Sequence, residues 1–509
     1  MQHILHRKLS IVDGAFVPDE ETVSKKKLLI RLVTEIHNAG NLCWRTEKLC
    51  VRVANTLGLH ATITILPRRM ILGFQESLAL DPSKSECYTL CLGGGLNISK
   101  LSALEQLVFD FTKSKVLSFE QAQSRLEEID KEPVMHGPWT IALLHFAVSY
   151  IAAVIFYGGN AIDAAWSGLF GAAVYGIERL SDRLEGLEAV TAFVSSAVVA
   201  ICSTLLDRYA YSGNLCLFAS MYGGVIWILP GYSITMALVE LYSGMVVYGS
   251  SRLLFGISQA SQVGFGLALG HAFVAGGSVI PDSFVNGCRD PSAKEWGLLL
   301  LPIFGAIVAA ILNTGRSQLP GMMLTAWTAF FADYALHKVK ASESVVPFVS
   351  AILVTTTARL WAWFNRNERP LVYIISGLFI LVPGGVGVKG SFQSTLTGNG
   401  AQGLLFTTNM VSIAISLAVG VFLSLVPTTK WLRARRPRMP RVSLHFTHSP
   451  SLGPAGDGHF SFPHSFPHIS LSIPEDSEVD DGDSGDGSSV RNPMSKPTMR
   501  RSNSMESNL

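Results

Sequence analysis

Hydrophobic and polar positions fall into three regimes along this chain. Between residues 24 and 135 apolar side chains recur at short periods within polar sequence, between about 139 and 427 apolar runs are almost continuous, and from 432 to 509 the chain is polar. In the first regime Leu28, Leu29, Leu32, Val33 and Ile36 lie at helical spacing within Lys25 to Ala39, and Gly40 stops the run. A second helix is predicted from about Leu42 to Leu57, ending at Gly58. Thr62 to Ile65 alternates with period two, and Met70 to Phe74 and Cys87 to Leu92 are rich in strand formers. Two more helices follow, the last announced by Ser118-Phe119-Glu120-Gln121, a capping box in which hydroxyl and amide satisfy orphan N–H groups. The pattern predicts a flexible N-terminus over 1–23 and an α/β domain over 24–135. Met1 to Ser10 lacks an apolar core of signal-peptide length, so this domain is expected in the cytosol.

The second regime separates into ten apolar segments, 139–158, 161–177, 189–206, 215–230, 262–280, 296–314, 319–335, 345–361, 371–386 and 404–426. Crossing ~30 Å of hydrocarbon takes about 20 apolar residues, so these are read as spans, the four shortest being marginal. Stretches 231–261 and 387–403 are moderately apolar and Gly-rich, and read as re-entrant helices or continuations of broken ones. With the N-terminus inside, the inner loops hold Arg179, Arg183, Arg252, Arg316, Arg366 and Arg369, and the outer loops Arg208, Arg289, Lys294, Lys338, Lys340 and Lys389, which decides nothing. The run Lys430, Arg433, Arg435, Arg436, Arg438 and Arg441 directly after the last span favours a cytosolic C-terminus, and ten spans then put the N-terminus inside as well.

Composition agrees with this partition. A chain of 509 residues that is 48% hydrophobic, 15% charged and of mean hydropathy +0.34 is not soluble in its entirety. A net charge of +2, without a helix-turn-helix, zinc-finger or RNA-binding signature, sets nucleic acid aside. Seven cysteines, Cys43, Cys50, Cys87, Cys91, Cys202, Cys216 and Cys288, argue against a disulfide framework and for a reducing compartment around the first four.

The membrane region repeats itself. Ala165-Trp166-Ser167-Gly168-Leu169-Phe170 resembles Ala326-Trp327-Thr328-Ala329-Phe330-Phe331 at an offset of 161, Phe193-Val194-Ser195 matches Phe348-Val349-Ser350 at 155, and Leu229-Pro230-Gly231 matches Val382-Pro383-Gly384 at 153. The expected halves are 136–290 and 291–430, five spans each, and an odd number inverts the second half, as in many secondary transporters. Proline removes a backbone donor and clashes with the preceding turn, so Pro230-Gly231 and Pro383-Gly384-Gly385 are predicted to break their helices. The freed N–H groups suit a carboxylate and the freed carbonyls a cation. Asp163, Glu240, Arg252, Asp333 and Arg359 are ionisable residues in or beside spans and join the pathway candidates, with His145 and His271 behind them. Glu240 and Arg252 are twelve apart, about 120° around a continuous helix, so pairing them requires a bend.

His37-Asn38-Ala39-Gly40, then Arg45, Glu47 and Leu57-Gly58, followed by a small α/β domain and two halves each with a Pro-Gly element, resembles the threonine/serine exporter family, and the layout and tail resemble its fungal branch, the pheromone-regulated membrane protein 10-like proteins. The resemblance spans about residues 24–427. It implies an ion-gradient-driven exporter of small hydroxy amino acids with a hydrolase-like soluble domain, and its opening motif falls on Gly40, Arg45, Glu47 and Gly58. Arg45 and Glu47 do not share a helix face, and Gly-x-Ser-x-Gly and His-Glu-x-x-His motifs are absent, so an enzyme is not expected.

Gly93-Gly94-Gly95-Leu96-Asn97 lacks the Gly-Lys-Ser/Thr ending of a phosphate loop, and Cys87-x-x-x-Cys91 lacks a second ligand pair for zinc. No metal or cofactor is therefore expected. The tail, 431–509, is disordered by composition, with Ser461-Phe462-Pro463-His464 repeated at Ser465-Phe466-Pro467-His468 and seven acidic residues between Glu475 and Asp486. Together these observations predict an α-helical multi-pass membrane protein of about ten transmembrane helices in two inverted repeats, with a cytosolic α/β domain and a disordered tail. Its expected partners are small amino acids, a coupling ion with H+ as the candidate, the lipid bilayer and a second copy of the chain. The alternative is a non-transporting membrane scaffold in fungal cell contact or mating.

Overall fold

Helices α1 (Glu20–Asn38) and α2 (Cys43–Leu57) form where the 3.6-residue period places them. Gly58 closes α2 in the left-handed region at φ 69°, and Gly40 does the same after α1 at φ 97°, so both glycines stop helices. The computed structural model describes residues 20–433 except 76–84, 115, 134, 185, 278–279, 289–295, 343–344, 366–369 and 383. The tail and its basic run beyond Arg433, and the expected break residue Pro383, lie outside the described residues.

Strands β1 (His60–Leu66), β2 (Arg69–Gln75) and β3 (Ser85–Cys91) make an antiparallel sheet in the order β1-β2-β3, with Ile63 opposite Leu72 and Ile71 opposite Thr89. Ile65, Met70, Leu72 and Phe74 are buried with Leu29, Leu32, Ile36 and Val53 of α1 and α2. Helices α3 (Ile98–Phe109) and α4 (Phe119–Lys131) close this layer, and the capping box at Ser118 and Gln121 is formed. Asn97, at the end of the glycine run, caps α3 by accepting from the Lys100 amide at 3.1 Å, so this run is a turn into a helix.

Then follow α5 (Pro138–Ile155), α6 (Ala161–Ser181), α7 (Thr191–Tyr209), α8 (Leu217–Gly224), α9 (Gly231–Tyr242), α10 (Val246–Ala275), the short α11 (Asp282–Asn286), α12 (Trp296–Ile311), α13 (Leu319–Lys338), α14 (Val345–Phe364), α15 (Pro370–Leu381), α16 (Gly384–Thr397) and α17 (Gly400–Arg433). Among the described residues six helical runs are long and apolar enough to cross a membrane, and α8 with α9, bent by 57°, makes up to seven. This departs from the ten segments counted by hydropathy. Helices α6 and α13 are 21 and 20 residues long but carry Asp163, Glu178 and Arg179, and Asp333, His337 and Lys338. Segment 231–261 is α9, a reversal at Gly244 (φ 93°), and the first half of the 30-residue α10. Likewise 387–403 belongs mostly to α16 and its turn into α17.

The N-terminal elements pack on one end of the bundle. Arg68 pairs with Glu188 before α7 at 2.8 Å, the Ile98 and Ser99 amides donate to the Leu312 and Asn313 carbonyls after α12, and α2 meets the α9–α10 turn. The intervening connections meet at the opposite end, where a disulfide joins Cys216 to Cys288, 72 residues on in sequence. This corrects the expectation from cysteine counting. The chain holds one staple, and Cys43, Cys50, Cys87, Cys91 and Cys202 are free thiols.

Candidate functional site

Helix α8 gives way to a 3-10 turn over Ile226–Ile228, Leu229 is extended, and α9 starts at Gly231. Helix α15 ends at Leu381 and α16 starts at Gly384. The two breaks lie against each other. A Cβ on Gly231 would sit 2.5 Å from the Gly384 nitrogen and 2.8 Å from its Cα, and one on Gly384 would sit 3.0 Å from Leu229 Cβ. Only glycine lets the backbones approach this closely. The first amides of α9 and α16 have no acceptor within their own helices, so two partially positive helix ends converge here. The freed Ile228 carbonyl accepts from Gln259 of α10 at 3.0 Å.

Beside the crossing lies a cavity of about 300 Å³ lined by Gly231, Gly384 and Gly385 together with Tyr157, Phe218, Tyr222, Trp227, Tyr232, Phe379 and Lys389. Its walls are aromatic: Phe379 stacks on Tyr232 at 4.5 Å and on Trp227 at 6.2 Å. Among the described residues of this lining Lys389 is the one that is charged, and its Nζ stands 5.2 Å from the Phe218 ring centre. A cation–π contact is worth about 0.5–2 kcal/mol, less than the several kcal/mol of taking an ammonium out of water. Hydropathy placed Lys389 in an outer loop; the structure places it in α16. The signal available was its position five residues after a Pro-Gly break.

The remaining candidates lie elsewhere. Glu240, 1% exposed, pairs with Arg252 at 3.5 Å, because the reversal at Gly244 folds α10 back along α9. Arg252 also donates to Ser233 Oγ at 3.3 Å. The Cys43 amide, at the start of α2, donates to the same Glu240 carboxylate at 3.5 Å, and His37 meets Tyr248 edge to face at 6.1 Å, so this pair joins the N-terminal elements to the bundle. Burial, then the Arg252 charge, lowers His37 to about 4; burial, then the Glu240 carboxylate, pushes the Cys43 thiol up. Asp163 is at the disulfide end, where it completes the α6 capping box with Asn160 and accepts from the Cys216 amide at 2.9 Å. Asp333 is 43% exposed at its side chain near the end of α13, beside His337 at 3.5 Å. His145 is buried between Tyr175 and Trp227, His271 bonds Thr204 at 3.0 Å, and Arg359 donates to the Ser424 carbonyl at 3.1 Å.

In the N-terminal motif Arg45 pairs with buried Glu105, and Glu47 lies near Cys50, whose thiol is raised to about 12 by burial and then by that carboxylate. Among the described residues the one trio of side chains close enough to share a metal is Asp163, Cys216 and Cys288. Its sulfurs are committed to the disulfide and its carboxylate to the Cys216 and Asn160 amides, so it lacks free donors.

The apolar helices define a multi-pass integral membrane protein. Residues 27–274 match one threonine/serine exporter model and residues 298–426 match a second, and the chain belongs to the threonine/serine exporter family. It is similar to pheromone-regulated membrane protein 10 of Eremothecium gossypii, 24% identical over 79% of this chain and 56% of that protein. It is similar also to those of Kluyveromyces lactis, 25% over 79% and 44%, and Saccharomyces cerevisiae, 22% over 79% and 54%. The chain spans about half the length of these curated relatives. No solved structure matches it.

Proposed function

We propose that this protein is a secondary transporter that exports small polar amino acids of the threonine/serine type, coupled to an ion gradient, from a site between two inverted halves. The observation that carries the reading is the aromatic cavity beside the point where Gly231 and Gly384 cross. Converging helix ends offer N–H groups to a carboxylate, and aromatic faces suit an ammonium. Element order supports two related halves: α5 to α10 and α12 to α17 each run as three helices, a broken pair and one long helix. In this reading the N-terminal elements and the C-terminus face the cytosol, and the disulfide faces the opposite, oxidising side. Membership of an exporter family supports transport over catalysis.

The test is release of labelled threonine or serine from loaded proteoliposomes under an imposed pH gradient. Gradient-dependent efflux above that of protein-free liposomes is expected, and its absence for every small polar amino acid refutes the proposal.

A further inference from the structure

We infer that Lys389 is the residue that anchors the ligand's carboxylate in the central cavity. The inference rests on the transporter reading for the identity of the natural ligand, but the geometry behind it is separate. Lys389 projects from α16 into a cavity whose described lining contains no acidic residue, and among the described residues no carboxylate pairs with it. The Phe218 face offsets only part of the desolvation of its ammonium. The amino termini of α9 and α16 add positive potential at Gly231 and Gly384. Tyr222 also lines the cavity, and its hydroxyl, buried behind the ring, has no partner among the described residues. A cation and two positive helix ends at one cavity are the complement of a small anion.

The volume decides its size. About 300 Å³ is far more than a halide and a few waters fill at roughly 30 Å³ per water, and lies at the small end of organic-ligand pockets. The aromatic remainder of the lining excludes a polyanion, for which one lysine supplies too little charge. The ligand class is therefore a compact monocarboxylate with an apolar or hydroxylated body, which includes threonine and serine. Because Lys389 lies on α16, immediately after the break, its neutralisation by a ligand would act directly on the crossing of the two broken helices.

The experiment uses the full chain in lipid nanodiscs and measures binding of labelled threonine and labelled 3-hydroxybutyrate, with threoninol as the competitor that lacks a carboxylate. Wild type is expected to bind the carboxylates, with threoninol a poor competitor, and Lys389→Met to weaken them at least tenfold, while Lys389→Arg keeps most of the affinity. Melting of the ligand-free protein controls for folding: Lys389→Met removes an unpaired charge and is expected to melt no lower than wild type, yet to lose the ligand-induced upward shift. If wild type ignores threonine but binds hydroxybutyrate through Lys389, the substrate reading fails and the anchor stands. If Lys389→Met binds and exports threonine like wild type, or loses only gradient coupling at unchanged affinity, the anchor is overturned and the substrate reading stands. A wild type that binds none of the small carboxylates overturns the anchor as well. Should Lys389→Met not fold, Lys389→Gln and the Arg variant decide by the same criteria.

Discussion

Replacing Gly231 by alanine tests the crossing of the broken helices most directly. The added methyl would lie 2.5 Å from the Gly384 nitrogen and 2.8 Å from its Cα, whereas carbon contacts relax at about 3.5–4.0 Å. Both opposing atoms are backbone, so no rotamer change relieves the clash, and α9 and α16 must separate by on the order of 1 Å. Overpacking of this kind costs about 1–3 kcal/mol, which exceeds the roughly 0.5–1 kcal/mol that Gly→Ala returns through helix propensity. Gly384→Ala is milder, since its methyl would meet Leu229 Cβ at 3.0 Å, and Gly176→Ala, exposed in α6 with nothing within 4 Å, should gain stability. Melting of the purified protein in detergent should rank Gly176→Ala at or above wild type, then Gly384→Ala, then Gly231→Ala. Threonine efflux from proteoliposomes should fall in the last by more than its loss of folded protein explains. A Gly231→Ala variant that melts and transports like wild type would refute the reasoning, because the backbones would then not be in contact.

Three further outcomes are expected. Opening the disulfide with Cys216→Ser/Cys288→Ser frees a 72-residue loop and should destabilise by at most about 4 kcal/mol, less where helices persist in the micelle; thiol counting should find five free thiols in wild type, and in sealed vesicles an impermeant maleimide should reach exposed Cys87 and Cys91 only from the cytosolic side. Glu240→Gln strands Arg252 and loosens the Cys43 contact, so it should cost about 3 kcal/mol and speed proteolytic removal of the N-terminal elements, with Glu240→Met/Arg252→Met recovering part of the loss. His37, buried and lowered to about 4 against 6.5 when exposed, binds its proton more readily in the unfolded chain. Stability is therefore complete above pH 6.5 and falls as pH drops from 6.5 toward 4, by up to about 3 kcal/mol, and denaturation of His37→Gln across that window should show a shallower slope.

Much of the architecture is legible in the sequence because it depends on neighbours along the chain. The apolar period fixed α1 and α2, Gly40 and Gly58 ended them, and Ser118 with Gln121 opened α4, each through a hydrogen bond or dihedral spanning a few residues. The break before α9 was legible because proline withdraws a donor wherever it stands. The expected span at 262–280 began sixteen residues late, at 262 instead of Val246, because the polar residues of α10's first half masked a helix that tertiary packing sustains.

What the tertiary structure alone decided is which distant groups share a space. Glu240 and Arg252 point apart on a continuous helix and meet only because Gly244 reverses the chain. Cys216 and Cys288 pair because helix packing returns the chain after 72 residues, a closure no spacing rule encodes. Asp163, read as a pathway carboxylate, is used up by the amides at its helix end, whereas Lys389, read as a loop residue, lines the cavity. Local sequence sets backbone conformation through interactions a few residues long, but the contents of a cavity depend on loop closures across more than a hundred residues, whose direction is fixed by the packing of the whole bundle.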